Sequence, residues 1–277
     1  MTFELRRITP DDWRLLRDVR LRALTDAPDA FGSTRARADG LTEAEWRSRA
    51  DNGGLTLVAV DDTGDDTGDH TGDDTGDGPR GLAMGGALAP DGGPTVAVWG
   101  MWTDPAARGR GIGGALLDAA VQTWVAESSP GLLLAEVEHP DHHEASEAHG
   151  DPAARLRFYA RHGARVLAVP YFQPGLGASG ARVPALLLTT LHVAPEAVAE
   201  GPVDAPTAVV AGPLREFLEA YLVGSEGSLR DDADTRALLG SVSGPTVGLV
   251  DPADLASVPV GMAWATEGLR ASDGDDS

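Results

Sequence analysis

The 277-residue chain contains neither cysteine nor lysine. Without cysteine it cannot form disulfides, thiolate metal sites or a cysteine nucleophile. Without lysine it cannot form the nucleotide-triphosphate loop, in which a lysine contacts the phosphates. It also lacks an apolar run near the ~20 residues that a membrane span needs, and its first residues carry no apolar stretch of signal-peptide length. We therefore expect a soluble cytoplasmic protein with no membrane partner.

Basic residues are scarce, since 22 arginines oppose 43 acidic residues and give a formal net charge of -21. A surface this acidic repels nucleic acid, which is therefore not an expected partner. Much of the acidity lies in an Asp/Thr/Gly repeat over 61–79 that has no apolar side chain to bury. This composition predicts a disordered insertion between two strands. The repeat also lacks the apolar periodicity of calcium-binding solenoids, which disfavours a calcium site.

Hydrophobic periodicity predicts alternating strands and helices over 1–193, which we interpret as one α/β domain. The predicted strands begin at Phe3 and then cover Leu55–Val60, Gly81–Leu88, Thr95–Trp102, Leu132–Glu138, Val166–Phe172 and Val183–His192. The predicted helices follow Thr9, cover Thr42–Ala50, run from Ile112 to Trp124 and cover Asp151–His162.

The pattern weakens beyond Ala194. Proline, alanine and glycine dominate 195–212, which predicts a linker. One amphipathic helix follows, with apolar positions at Leu214, Phe217, Leu218, Tyr221 and Leu222. Residues 194–277 are therefore predicted to be an extension made of a linker, one helix and a tail to which the sequence assigns no function.

The most informative stretch is the turn RGRGIGG, from Arg108 to Gly114, which lies between a strand and an amphipathic helix. Its glycines allow several backbone N–H groups to lie side by side, and the first N–H groups of the helix have no intrahelical partner. Arg108 and Arg110 can bind phosphate oxygens with two N–H groups at once. The turn therefore predicts a site for a pyrophosphate-bearing cofactor, and the alternative is a helix start that needs glycine only for its backbone.

Two motifs fit this turn. Gly109, Gly111 and Gly114 satisfy G-x-G-x-x-G, and Glu136 lies about where a dinucleotide fold places its ribose-binding acid. However, residues 103–108 separate the glycines from their strand, and the preceding strands belong to hairpins. The better match is Arg108-x-x-Gly111-x-Gly113, which resembles the acetyl-CoA-binding motif of the GNAT superfamily of N-acetyltransferases. The resemblance extends over about 2–193 and includes LRFYARHGARV, which is similar to the family's Leu-Tyr-x-x-x-Gly-Phe ending.

The resemblance implies a mixed, mostly antiparallel central sheet flanked by helices. It implies that the N–H groups of the turn hold the pyrophosphate of acetyl-CoA. It also implies that the strand before the turn splays, pairs with the pantetheine amides and exposes an N–H group to the thioester oxygen. The cofactor-binding residues expected on this basis are Met101, Trp102, Thr103, Arg108, Gly109, Arg110, Gly111, Ile112, Gly113 and Gly114.

The same resemblance assigns Tyr159, four residues before Gly163, as the acid that protonates the departing thiolate. A base must also deprotonate the amine. Glu136 and Glu138 lie on one side of their strand because side chains repeat every second residue, so either is a candidate, directly or through a water. The alternative for each glutamate is a purely electrostatic role toward a cationic substrate or an arginine.

The loop after Glu138 contains four histidines and several acids, namely His139, Asp141, His142, His143, Glu144 and His149. Their spacing fits no standard ligand pattern, so we expect a polar loop and no metal.

The sequence thus predicts an acetyltransferase that moves acetyl from acetyl-CoA to a primary amine of a small molecule, peptide or protein by direct attack. The sequence is also compatible with a homodimer. The alternatives are an acyl-CoA-binding sensor or partner protein of the same fold and, less favoured, a dinucleotide-binding oxidoreductase.

Overall fold

The structure is a computed structural model that describes residues 3–27, 34–51, 55–61, 81–87, 95–146, 150–177 and 179–262. The chain divides into two compact units. The first comprises 1–86, 98–127 and 147–149, and the second comprises 87–97, 128–146 and 150–277. This division does not coincide with the predicted boundary at 193. Most of the acidic repeat predicted to be a disordered insertion, from 62 onward, lies outside the described residues.

In the described part of the first unit there are four strands and four helices. They are β1 (Phe3–Arg7), α1 (Trp13–Asp26), α2 (Arg35–Asp39), α3 (Glu43–Ala50), β2 (Leu55–Asp61), β3 (Gly81–Ala87), the end of β4 (Thr95–Thr103) and α4 (Ile112–Ser128). The strand order is β1-β2-β3-β4, and β2 pairs with β1 and β3 in antiparallel register.

Local chemistry determines where the early helices begin. Thr42 forms a capping box with Glu45 at the start of α3. Thr9 and Asp12 do the same before α1, where Pro10 occupies the first helical position. These caps bind N–H groups that the helix itself leaves without partners. The apolar faces of the helices then pack around the fully buried Trp46 in a core with Leu16, Val19, Leu24 and Val58.

The described residues of the second unit form six strands in the order β5-β7-β6-β10-β9-β8. Its elements are β5 (Leu132–Glu138), α5 (Pro152–Arg161), β6 (Arg165–Leu167), β7 (Leu186–Val193), β8 (Val198–Glu200), β9 (Ala208–Val210), α6 (Ala211–Glu226), α7 (Ala233–Ser241) and β10 (Thr246–Val250). Its adjacent strands are paired antiparallel.

The predicted fold class, antiparallel strands flanked by helices, is confirmed. The dinucleotide alternative requires a parallel sheet, which the described strand pairs do not form. None of the described helices is long and apolar enough to cross a membrane.

The structure differs from the prediction beyond Ala194. Instead of a linker, one helix and a tail, residues 194–262 carry three strands and two helices. β10 pairs with β6 and β9 pairs with β10, so this extension continues the sheet of the second unit. Phe217, Leu218 and Leu222 of α6 are fully buried in one core with Leu132 and Leu134 of β5. The extension is therefore part of the second unit's hydrophobic core.

The segment between β6 and β7 also differs from the prediction. The sequence predicts strands over Val166–Phe172 and Val183–His192, whereas β6 ends at Leu167 and β7 begins at Leu186. Gln173 and Val183 instead form an isolated bridge within the connecting segment. We call residues 168–185 the β6–β7 loop.

Candidate active site

The strand before the glycine turn has an irregular backbone at its centre. Gly100 in β4 has a φ of 82°, in the left-handed region that strands do not use. Such a residue interrupts the regular pleat immediately before Met101 and Trp102. The interruption occurs where a splayed strand is expected from the resemblance. The indole of Trp102 is buried, and its Nε1 donates to Asp26 Oδ2 at 2.8 Å.

A short 3₁₀ turn follows β4 and is held by Asp104. This buried carboxylate accepts the N–H of Ala106 at 2.9 Å and forms an ion pair with Arg22 of α1. Pro105 occupies the first position of the turn, where its missing N–H has no cost. The Asp104-Pro105 pair therefore ends the strand and directs the chain toward α4.

The glycine turn itself depends on two left-handed residues. Gly109 and Gly111 have φ values of 78° and 82°, which side-chain-bearing residues rarely adopt. A Cβ placed on either would meet no atom within 4 Å, so the surrounding space is open and backbone conformation alone requires glycine.

Helix α4 begins directly after this turn. The N–H of Ala115 bonds the carbonyl of Gly111 at 3.0 Å, which closes the first helical turn. The N–H groups of Ile112, Gly113 and Gly114 precede any helical carbonyl that could accept from them. Buried Ile112 anchors this end of the helix in the unit. The positive end of the α4 dipole and open glycine backbone thus coincide, which is a suitable arrangement for a phosphate group.

Arg108 is bound to acidic and carbonyl oxygens of the first unit. Its Nη2 donates to Asp26 Oδ2 at 2.8 Å, and its Nε donates to the Thr103 carbonyl at 3.2 Å. The side chain remains 60% exposed, so the ion pair lies at the surface. Asp26 therefore joins Trp102 and Arg108, two of the expected cofactor-binding residues. No local sequence signal links Asp26 to Arg108, because it lies 82 residues earlier in the chain.

In the second unit, Glu136 of β5 lies at the centre of a polar cluster. Its Oε1 accepts from the hydroxyls of Tyr171 and Tyr221, the latter at 3.2 Å. Its Oε2 accepts from Gln173 Nε2 at 2.9 Å. Burial raises the pKa of Glu136, and these three donors act against that rise. We call Glu136, Tyr171, Gln173 and Tyr221 the Glu136 cluster.

The same interaction keeps both tyrosines protonated. Burial and the nearby charge of Glu136 raise the pKa of Tyr171 and of Tyr221, so each hydroxyl remains a donor. Sequence reasoning did not find these partners. The placement of Tyr221 on the apolar face of the predicted amphipathic helix was the one signal that it packs against the core, where it is partly buried.

Glu138, two residues further along β5, has a different environment. Its Oε2 accepts from Arg155 Nη1 of α5 at 2.6 Å, and both side chains are partly buried. The charge of Glu138 is thereby compensated by a guanidinium. The structure describes no cation among the hydrogen-bond partners of Glu136, so the two candidate bases are electrostatically distinct.

Tyr159 lies on α5, one helical turn after Arg155, and is 8% exposed. Burial raises its pKa, and the charge of Arg155 partly opposes the effect. The phenol therefore carries its proton at neutral pH. Gly163, with a φ of 83°, provides the left-handed residue that follows the helix.

The histidine loop is tied to neighbouring backbone. His143 Nε2 lies 2.8 Å from the Pro184 carbonyl, and His139 Nδ1 accepts the N–H of Asp141 at 3.2 Å. Burial lowers the pKa of His139, assisted by the charge of His142. Among the described residues, which exclude His149, no group of three or more His, Asp or Glu side chains could hold a metal ion.

Part of the chain is similar to a known protein family. Residues 53–163 match the family model described as an acetyltransferase (GNAT) domain, and this range includes the glycine turn, both glutamates and Tyr159. No curated protein matches the chain.

Several solved structures are similar to parts of the chain. A GNAT-family acetyltransferase from Desulfovibrio desulfuricans is 21% identical over 70% of this chain and 100% of its own, with a TM-score of 0.41. Arabidopsis thaliana NAA60 in complex with a bisubstrate analogue is 18% identical over 68% of this chain and 97% of its own, with a TM-score of 0.41. An aminoglycoside acetyltransferase from an uncultured soil metagenomic sample is 15% identical over 50% of this chain and 81% of its own, with a TM-score of 0.37.

Residues 53–163, which contain the glycine turn, are thus similar to the model of an acetyltransferase (GNAT) domain.

Proposed function

We propose that the protein transfers an acetyl group from acetyl-CoA to a primary amine of a small molecule, peptide or protein. The turn between β4 and α4 carries this proposal, because left-handed Gly109 and Gly111 lead directly into the positive end of a helix inside the family match. Acetyl-CoA supplies the thioester. The backbone from Arg108 to Gly114 would hold its pyrophosphate, and Met101 to Thr103 would pair with its pantetheine arm.

The acid and base roles follow from the environments of three side chains. We assign Glu136 as the base, because its raised pKa favours proton uptake, whereas the charge of Glu138 is compensated by Arg155. Glu138 then serves to hold Arg155 on α5. Tyr159 is assigned as the acid, since its buried phenol retains a proton that it can give to a thiolate.

The proton balance closes with these groups. Glu136 takes one proton from the acceptor ammonium, directly or through a water, and leaves a neutral amine that attacks the thioester carbon. The new C–N bond forms, the C–S bond breaks, and Tyr159 protonates the departing sulfur. The second nitrogen proton restores Tyr159, and Glu136 releases its proton to solvent. No covalent enzyme intermediate is needed, which agrees with the absence of cysteine.

Cofactor binding is tested with a matched pair of variants at Gly111. Asparagine and aspartate both tolerate the left-handed backbone, and their side chains have the same shape. Gly111→Asp adds a negative charge where the pyrophosphate would lie, so calorimetry should show CoA binding weakened at least tenfold more than in Gly111→Asn. Equal affinity in the two variants, or wild-type binding of NAD in place of CoA, would contradict the proposal.

Catalysis is tested by thiol release from acetyl-CoA in the presence of an amine panel. The protein contributes no background because it contains no cysteine. Amine-dependent release is expected. CoA binding without release for any amine would instead support the alternative of an acyl-CoA sensor.

A further inference from the structure

The Glu136 carboxylate has a defined number of acceptor positions. A carboxylate offers about four lone-pair positions, two on each oxygen. Two hydroxyls occupy Oε1, and the amide of Gln173 occupies one position on Oε2. The described contacts therefore leave one position, on Oε2, and Glu136 keeps part of its surface exposed. One oxygen is fixed by the protein and the other retains a place for an incoming proton.

One of the hydroxyls that donate to Glu136 Oε1 belongs to the C-terminal extension. Tyr221 lies on α6, and its ring stacks on Phe217 with centroids 5.7 Å apart and an interplanar angle of 26°. Phe217, Leu214 and Leu218 of the same helix are buried against the core that includes Leu134 of β5. The position of the Tyr221 hydroxyl is therefore set by helix packing.

The extension also fixes the β6–β7 loop that supplies the other two donors. Arg182 of the loop, 4% exposed, binds both carboxylate oxygens of Glu226 at 2.7 Å. Arg182 also contacts Asp232 at 3.0 Å and lies over the Phe172 ring at 4.3 Å. Fully buried ion pairs with two parallel hydrogen bonds define geometry closely. We call this ion-pair group the Arg182 latch.

Backbone contacts extend the latch along the loop. The N–H of Gly177 donates to the Ser225 carbonyl at 2.7 Å, and the N–H of Gly175 donates to Glu226 at 3.2 Å. Tyr171 and Gln173 lie between β6 and these anchored residues. The extension thus controls three of the contacts to Glu136, one directly and two through the loop.

We propose that the C-terminal extension completes the acceptor side of the active site, with Tyr221 as a positioning residue that directs Glu136 Oε2 toward the proton of the acceptor amine. This inference rests on the proposed function, in which Glu136 is the base. It adds residues of α6 to the active site, although α6 lies outside the matched range of 53–163.

The charged and titratable groups around Glu136 determine in which direction its pKa changes when a hydrogen-bond donor is removed. Glu138, the neighbouring carboxylate on the same side of β5, is paired with Arg155. Leu188 of β7 lies opposite Glu136 and does not titrate. From the loop and α6, the titratable groups that contact it are Tyr171 and Tyr221, both donors. Removing a donor destabilises the carboxylate, so the pKa of Glu136 must rise.

The test is Tyr221→Phe, which keeps the ring on Phe217 and removes only the hydroxyl. The titration of Glu136 is followed by NMR of the ¹³C-labelled side-chain carboxyl, assigned with Glu136→Gln. We expect its midpoint to rise by about one pH unit in Tyr221→Phe. In the same variant, the acid limb of kcat/KM should move upward by the same amount, because the base must be deprotonated. Leu238→Ala, a core change on α7, is the control and should lower Tm without moving either midpoint.

Each outcome is decisive. An unchanged carboxyl midpoint in Tyr221→Phe would overturn the positioning role, and a shifted NMR midpoint with an unmoved acid limb would overturn the link to catalysis. If the wild type binds CoA but turns over no amine, the proposed function fails, while the NMR measurement still decides whether Tyr221 controls Glu136.

Discussion

Asp26 and Arg108 form a 2.8 Å ion pair between the end of α1 and the turn that precedes α4. The arginine belongs to the motif expected to bind phosphate, so its binding to a carboxylate competes with that role. Asp26→Asn removes the competing charge and keeps an oxygen for Trp102 Nε1. Since an exposed pair contributes about 0.2–1 kcal/mol, calorimetry should show CoA affinity increased by up to about fivefold.

The control for this variant is Asp39→Asn, which removes the exposed 2.7 Å pair between Asp39 and Arg17 elsewhere in the first unit. It should leave CoA affinity unchanged. Weaker CoA binding in Asp26→Asn would show that the ion pair holds Arg108 in its binding position.

Tyr159→Phe keeps the aromatic ring of α5 and removes the proposed proton donor. Turnover should fall by about 10²- to 10⁴-fold, as is typical for loss of a general acid, whereas the CoA dissociation constant and Tm should hardly change. Because burial raises the pKa of Tyr159, the wild type should show no loss of activity from this group below pH 10. Loss of CoA binding together with a lower Tm would identify Tyr159 as a packing residue instead.

The two glutamates of β5 should respond differently to neutralisation. Glu136→Gln removes the proposed base and should reduce kcat by about 10²- to 10⁴-fold. Glu138→Gln removes only the partner of Arg155 and should reduce kcat less than tenfold, with a lower Tm. Steady-state kinetics with one acceptor would compare them, and the reverse ranking would transfer the base role to Glu138.

The Arg182 latch makes the stability of the folded protein depend on pH in the acidic range. Burial opposes the charge of Glu226, but hydrogen bonds from Arg182 and Gly175 outweigh it and hold its pKa below the ordinary value of 4.5. The stabilisation is therefore complete above pH 4.5 and is lost as the pH falls through the lower, folded-state pKa.

Glu226→Gln should lower the free energy of unfolding by about 3–5 kcal/mol at pH 7, the usual effect of removing one partner of a buried pair. Urea unfolding should show this difference shrinking below pH 4. A difference that stays constant between pH 7 and pH 3 would mean that the charge of Glu226 is not responsible.

The strand, glycine turn and helix from Thr95 to Ser128 were predictable because each depends on local signals: apolar runs, Asp104-Pro105, glycines and helical spacing. The strands of the extension could not be predicted in this way. Strands β8 and β9 are three residues each, and β10 contains Gly248 at its centre, so their pairing rather than their composition makes them strands.

The Glu136 cluster shows the same limit within the candidate site. Alternation along β5 identified Glu136 and Glu138 as candidates on one side, but it could not distinguish them. The distinction depends on Tyr171, Gln173 and Tyr221, which lie 35, 37 and 85 residues away in sequence. Only the folded chain shows which carboxylate receives hydroxyl donors and which receives a guanidinium.

The most direct test of the proposed activity is mass spectrometry of an amine panel incubated with the protein and ¹³C-acetyl-CoA. The panel should include small polyamines, aminoglycosides, amino acids and peptides with free N-termini. Because the protein has no lysine, self-acetylation of lysine side chains cannot obscure the product. We predict a labelled N-acetyl product for at least one amine, formed with wild type and reduced at least a hundredfold with Tyr159→Phe. Absence of labelled product from every amine despite measurable CoA binding, or equal product from both proteins, would contradict the account.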